Sequence, residues 1–141
     1  MVEIFVDTAS LDEVVHAAKL GFVTGVTTNP KLVSQEMADM KKRIMEIVGA
    51  LDGPVSVETI SLDMNGMIKE AKEYSSWHSN IVVKLPIGIE CLKTMKVMPG
   101  IKFNITACMS MNQAIVAALN GAHYVSLFYG RIGDMGYDPF D

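Results

Sequence analysis

Six short runs rich in β-branched residues recur about every 20–30 residues, and segments with helical periodicity lie between several of them. The runs are EIFVD (3–7), TGVTT (24–28), VSVET (55–59), IVVKL (81–85), KFNIT (102–106) and YVSLF (124–128). Most are nearly continuous in apolarity rather than alternating, as expected of parallel strands buried on both faces. Ser10 and Glu13 are spaced as a capping box that opens a first helix, and Gly21 is placed to end it. The second interval puts Met37, Met40, Ile44, Ile47, Val48 and Leu51 on one stripe. The third does the same with Met64, Met67, Ile68, Ala71 and Tyr74, and the fifth with Ala114, Ala117, Ala118 and Leu119, closed by Gly121. No linker, charge run or low-complexity stretch interrupts the pattern, so one βα-repeat domain over residues 1–141 is expected. Either a doubly wound sheet or a (β/α)8 barrel satisfies it. A dinucleotide-binding sheet wants G-x-G-x-x-G after its first strand, and none occurs. A barrel normally needs eight units and about 250 residues, whereas six strands are visible here.

Composition removes several classes of function. Half the residues are apolar and 20% are charged, an ordinary globular mixture. The net charge of -4 provides no basic footprint for a nucleic-acid partner. No apolar run approaches the roughly 20 residues that span a bilayer, so no membrane association is expected. Glu3 and Asp7 stand where a signal peptide would carry positive charge. Cys91 and Cys108 form neither a disulfide framework nor a metal-type pair, which points to a reducing cytoplasm. His16, His78 and His123 are scattered, so no metal site is expected. The methionine stripes read as core filler.

In barrels the chemistry sits at the C-terminal ends of the strands. Those ends here carry Asp7, then Thr27, Thr28 and Asn29, then Glu58 with Thr59, then Lys84. Asn104 and Thr106 lie in the fifth run, and Ser126, Phe128 and Arg131 in or just after the sixth. A carboxylate, a lysine, hydroxyls, amides and an arginine at one level suggest a polar, anion-tolerant pocket. Lys84 is the sharpest signal, because Ile81, Val82, Val83, Leu85 and Pro86 surround it. Desolvation disfavours an ammonium and makes a neutral amine available to attack a carbonyl. The same residue could instead snorkel from a strand end into solvent. Asp7 could be a turn former, although Ser10 already fills the cap role. Glu58 could be an exposed strand-end charge. Arg131 could pair with Asp134 or anchor a phosphate through charge-assisted hydrogen bonds.

The segments FVDT, GVTTNP, PVSVE, VVKLP, FNIT and YVSLFYGRIGDMG resemble, in order, those of the small transaldolases and the related fructose-6-phosphate aldolases. The similarity runs over essentially the whole chain. It implies a class I aldolase on a (β/α)8 barrel, here with six of the eight units and an apparent truncation after the sixth strand. It implies Lys84 as the Schiff-base lysine and Asp7 as the acid/base that handles the C4 hydroxyl proton. Glu58 and Thr106 would position a water for proton transfers. Thr27, Asn29, Asn104 and Ser126 would hold substrate hydroxyls, with Arg131 on the phosphate. Transaldolases carry Glu, Asn and Phe at the positions of Glu58, Asn104 and Phe128, whereas the aldolases carry Gln and Tyr at the first and last. The expected reaction is therefore transfer of a dihydroxyacetone unit between sugar phosphates such as fructose 6-phosphate, erythrose 4-phosphate and sedoheptulose 7-phosphate. The iminium serves as electron sink, so no cofactor or metal is expected, and the resemblance implies a homo-oligomer. Alternatives are a lyase that releases free dihydroxyacetone, or a non-catalytic remnant that still binds sugar phosphate. The chain departs from the family at Lys31, where a small hydroxyl residue usually follows T-T-N-P. It departs again at ACMSM after Thr106, at Tyr129, and in lacking strands 7 and 8.

Overall fold

In the computed structural model, which describes residues 2–36 and 39–138, each of the six β-branched runs contains a strand. These are β1 (Phe5–Asp7), β2 (Gly25–Thr27), β3 (Val55–Glu58), β4 (Ile81–Pro86), β5 (Phe103–Cys108) and β6 (Tyr124–Leu127). They form one parallel sheet in the order β1-β2-β3-β4-β5-β6, every strand beside its sequence neighbour. A doubly wound sheet reverses its order at a switch point. Uninterrupted order with helices between the strands is instead that of six consecutive (β/α)8 units. The sheet is curled enough that Phe5 of β1 and Tyr124 of β6 meet edge to face, with ring centroids 5.2 Å apart. Gly25 makes room for that contact, since a Cβ there would lie 2.4 Å from the Phe5 ring.

The helices are α1 (Leu11–Lys19), α2 (Pro30–Gln35), α3 (Met40–Ala50), α4 (Met64–Ser75), α5 (Ile89–Val97), α6 (Met111–Leu119) and α7 (Tyr129–Asp134). Side-chain caps start most of them: Ser10, Asn29, Asp39, Asp63 and Ser110 each accept the amide N–H three residues on. At α1 the capping box is relayed. The Ser10 N–H donates to Thr8 Oγ1, and the Thr8 hydroxyl donates to the Glu13 carboxylate. Gly21, at φ 75°, follows the end of this helix in the left-handed conformation.

Two helical expectations change. The second interval holds two helices: the expected stripe runs along α3 and its C-cap, and α2 precedes it as an additional helix. Ile44 and Ile47 are the fully buried residues of α3, Leu51 is its buried C-cap, and Met37 lies outside the described residues. The six residues of α2 are too few to show a period; the Asn29 cap and Pro30 in the first turn define it instead. In α6 only Ala117 is buried, while Ala118 and Leu119 are exposed, Leu119 at 84%. Met111, Ile115 and Val116 are exposed too, so this helix is apolar on several faces and its sequence could not select one. Strand faces and helix stripes meet in one core. Val26, Val55, Val57, Val83, Leu85 and Ile105 pack there with Val14, Ile44, Ile47, Met67 and Ala71. Complete burial of each such side chain contributes about 1.5–3 kcal/mol. Cys91 and Cys108 are free and buried, and burial pushes the Cys91 thiol up to about 12. No helix among the described residues is long and apolar enough to cross a membrane.

Candidate active site

Barrel interiors are filled in layers contributed by alternate strands. The polar strand-end residues follow that rule. Asp7, Glu58 and Thr106 come from β1, β3 and β5, and Thr27, Lys84 and Ser126 from β2, β4 and β6. All six line one pocket of ≈ 550 Å³ together with Asn29, Pro30, Lys31, Leu127 and Phe128. Register puts Asp7 beside Thr27, Glu58 beside Lys84, and Lys84 beside Asn104.

Lys84 is 6% exposed. Its ammonium lies 3.2 Å from Glu58 Oε2 and donates to the Thr28 carbonyl oxygen at 3.2 Å. The side chain therefore turns into the pocket rather than snorkelling to solvent. A buried ion pair is costly to break, because removing either partner leaves a desolvated charge. Glu58 is not a free surface carboxylate: its side chain is 20% exposed and engaged with Lys84. At the other side of the pocket the Thr27 hydroxyl donates to Asp7 Oδ1 at 2.7 Å, which orients an otherwise exposed carboxylate.

Beneath Lys84 runs a polar network that the sequence did not reveal. Ser56, fully buried, accepts from Asn104 Nδ2 at 3.1 Å, and Ser126 Oγ donates to Asn104 Oδ1 at 2.9 Å. The Ser56 carbonyl accepts from both the N–H and the hydroxyl of Thr28 at 3.0 and 2.8 Å. Ser56 thus ties the residue whose carbonyl holds Lys84 to the amide of Asn104. The available signal was strand alternation: in Val55-Ser56-Val57-Glu58, Ser56 shares the inner face with Glu58. Asn104 is 2% exposed and contributes to the site through this network rather than as a lining residue.

Thr106 Oγ1 is buried with no hydrogen-bond partner, although its residue lines the pocket. A buried hydroxyl left unpaired is costly, so this atom is suited to a water or a substrate group. Asn29 Oδ1 accepts from the Leu32 N–H at 3.0 Å, which fixes the amide and leaves its Nδ2 as a donor. Phe128, 37% exposed, places an aromatic ring on the rim. Arg131 is in α7, exposed, outside the pocket lining and without an ion pair to Asp134 among the described residues. Among the described residues, no three His, Cys, Asp or Glu side chains are placed so that they could together hold a metal ion. The pocket brings together an amine, an adjacent proton acceptor, a second carboxylate and several hydroxyls. That set suits addition of an amine to a carbonyl, followed by proton transfers on both sides of it.

The chain matches the transaldolase/fructose-6-phosphate aldolase family over residues 4–139. It is 51% identical to a probable transaldolase of Carboxydothermus hydrogenoformans, over 96% of this chain and 64% of that protein. It is 47% identical to one of Desulforudis audaxviator, over 99% of this chain and 66% of the relative. A probable transaldolase of Clostridium botulinum is 47% identical over 95% of this chain and 64% of its own length. The chain thus spans just under two thirds of the length of these relatives.

Proposed function

This chain belongs to the transaldolase/fructose-6-phosphate aldolase family, and we propose that its pocket is the Schiff-base centre of a transaldolase acting on sugar phosphates. The observation that carries the reading is the Lys84 ammonium, buried and 3.2 Å from Glu58 Oε2. Glu58 accepts the ammonium proton, and the freed amine attacks the C2 carbonyl of a ketose phosphate. Proton transfer through a water held by Glu58 and the unpartnered Thr106 hydroxyl removes the carbinolamine oxygen as water, giving an iminium. Asp7, oriented by Thr27, takes the C4 hydroxyl proton. The C3–C4 bond breaks, its electron pair flows into the iminium to form an enamine, and an aldose phosphate leaves. The enamine then attacks the carbonyl of an acceptor aldose phosphate, Asp7 returns the proton to the new hydroxyl, and hydrolysis frees Lys84. Ser126 and the Asn29 amide nitrogen suit the sugar hydroxyls. The ring of Phe128 supports transfer over release, because an apolar wall beside the enamine excludes water and offers no proton.

Borohydride reduction in the presence of fructose 6-phosphate, followed by peptide mass mapping, tests the reading. The adduct is expected on Lys84; an adduct on Lys31 or Lys93 with none on Lys84 would overturn it. The choice between transfer and lyase is tested by measuring both fluxes from fructose 6-phosphate, with and without erythrose 4-phosphate. Phe128→Tyr should move the ratio towards release of free dihydroxyacetone. Release as fast as transfer in the native protein would establish the lyase, and trapping without turnover would mark a binding remnant.

A further inference from the structure

Ala107, the residue after Thr106, has φ 58° and is the one non-glycine residue in the left-handed region among the described residues. A residue with a Cβ stays there only where its surroundings hold it. The strand register shows why it does. Asn104 pairs with Tyr124 and Ile105 with Val125, but the next pair is Cys108 with Leu127. β5 therefore takes three steps where β6 takes two, and Thr106 and Ala107 together oppose Ser126, a one-residue bulge. On its other side β5 stays regular, with Leu85 beside Ile105 and Pro86 beside Thr106, and the Ile87 N–H donates to the Thr106 carbonyl oxygen at 2.8 Å. The ladder with β6 resumes at Cys108, whose carbonyl oxygen accepts from the Phe128 N–H at 2.9 Å. The Cys108 thiol reaches back across the bulge to the Ile105 carbonyl oxygen at 3.9 Å.

Two side chains are placed by this bulge. In an unbroken register Thr106 would stand directly opposite Ser126, and neighbouring strands lie about 4.8 Å apart, close enough for the two hydroxyls to bond to each other. With the bulge, Ser126 Oγ donates to Asn104 Oδ1, and the buried Thr106 Oγ1 has no partner. Unbroken alternation would also bring Cys108 onto the inner face with Asn104 and Thr106. The extra residue reverses that, and Cys108 is buried in the core and absent from the pocket lining. We infer that Ala107 is a positioning residue, whose left-handed bulge keeps the Thr106 hydroxyl free to hold water beside Lys84 and turns the Cys108 thiol out of the pocket. The inference rests on the Schiff-base reading above, in which that water carries the proton transfers. The strained backbone thus sits at the residue whose relaxation would close the Thr106 hydroxyl onto Ser126.

Rapid-quench borohydride trapping with fructose 6-phosphate tests this in the native protein, Ala107→Val, Ala107→Gly, Thr106→Ala and the double variant of Thr106→Ala with Ala107→Val. A β-branched side chain fits the left-handed region poorly, whereas glycine adopts it freely. Ala107→Val should slow imine formation about tenfold or more, with little change in the sugar concentration at half-saturation. It should also open Cys108 to iodoacetamide, read by peptide mass mapping. In the Thr106→Ala background the valine should slow the reaction no further, since both changes act through one hydroxyl. Ala107→Gly keeps the left-handed backbone, so the rate lost with valine should return and the thermal midpoint should rise by about 5 °C. An unchanged rate in Ala107→Val, or a Cys108 as inert there as in the native protein, overturns the inference. So does equal slowing with and without Thr106, or a glycine variant as slow as the valine one. If Ala107→Val does not fold, deletion of Ala107, which sets Thr106 opposite Ser126 in unbroken register, must show the same loss of rate. Absence of an adduct on Lys84 in the native protein would remove the Schiff-base reading and this inference with it. A normal adduct with no effect at Ala107 removes the inference alone.

Discussion

At the scale of single residues, the site depends on which hydrogen-bonding capacity each side chain has left after its structural duties. Glu58 faces Lys84 at 3.2 Å, so Glu58→Gln keeps the shape and removes the proton acceptor. Imine formation, followed by rapid-quench borohydride trapping, should slow by about 100-fold or more, as for a lost acid/base group. An unchanged rate would reduce Glu58 to a structural counter-ion. Asn29 divides its amide between the α2 cap and the pocket. Asn29→Asp preserves the cap oxygen and exchanges a donor for an acceptor, so the melting temperature should hold while sugar affinity falls; a loss of both would deny the division. Ser56→Ala leaves Asn104 Nδ2 without its buried acceptor, at a cost of about 1–3 kcal/mol by denaturant unfolding. Lys84, Glu58 and Asp7 were legible in the sequence because charged residues at apolar strand ends stand out. Ser56 was not singled out, because alternation places it on the face of Glu58 but nothing local shows that it meets Asn104, 48 residues away.

At the scale of elements, the strands and the Ser10 cap came through the sequence more clearly than helix faces, and the caps of α2, α3, α4 and α6 came from the structure. Asp63 caps α4 by accepting from the Gly66 N–H at 3.0 Å, so Asp63→Ala should cost about 1 kcal/mol. Two glycines are fixed by contacts between neighbouring segments rather than by turn geometry. A Cβ on Gly25 would lie 2.4 Å from the Phe5 ring, and one on Gly53 would lie 2.0 Å from the backbone oxygen of Thr24. A ring can shift and a strand-edge carbonyl cannot, so Gly53→Ala should destabilise more than Gly25→Ala, by upwards of the about 1–3 kcal/mol typical of overpacking. Comparable chemical-denaturation midpoints for the two would contradict that ordering. Neither contact was readable in advance, since each joins residues from different units. The short helix α2, ahead of the stripe on α3, was missed for a different reason: six residues of helix give a periodic signal too little length to register.

At the scale of the whole molecule, the fold keeps several buried thiol and phenol groups protonated to higher pH than the unfolded chain would. Cys91 rises from 9.0 to about 12 through burial, and Tyr74 and Cys108 are raised as well, chiefly by burial. A raised folded-state value means that the folded protein holds its proton more tightly, so this stability is complete below pH 9.0 and is lost as pH rises towards 12. The thermal midpoint should stay level to about pH 9 and then fall, and Cys91→Ala should make the alkaline fall shallower; an unaltered slope would deny Cys91 its part. By itself the sequence determined the six strands, their parallel βα arrangement and the set of polar residues at the strand ends. It could do so because strand runs, caps and apolar stripes are signals within a few residues of one another. Only the tertiary structure decided which of those side chains meet. It joined Lys84 to Glu58 and to the carbonyl of Thr28, 56 residues away, bound Ser56 to Asn104 across 48, and turned Lys31 rather than Arg131 into the pocket wall. Those meetings are set by register between strands and by the curl of the sheet that brings Phe5 to Tyr124, quantities that no local stretch of sequence contains.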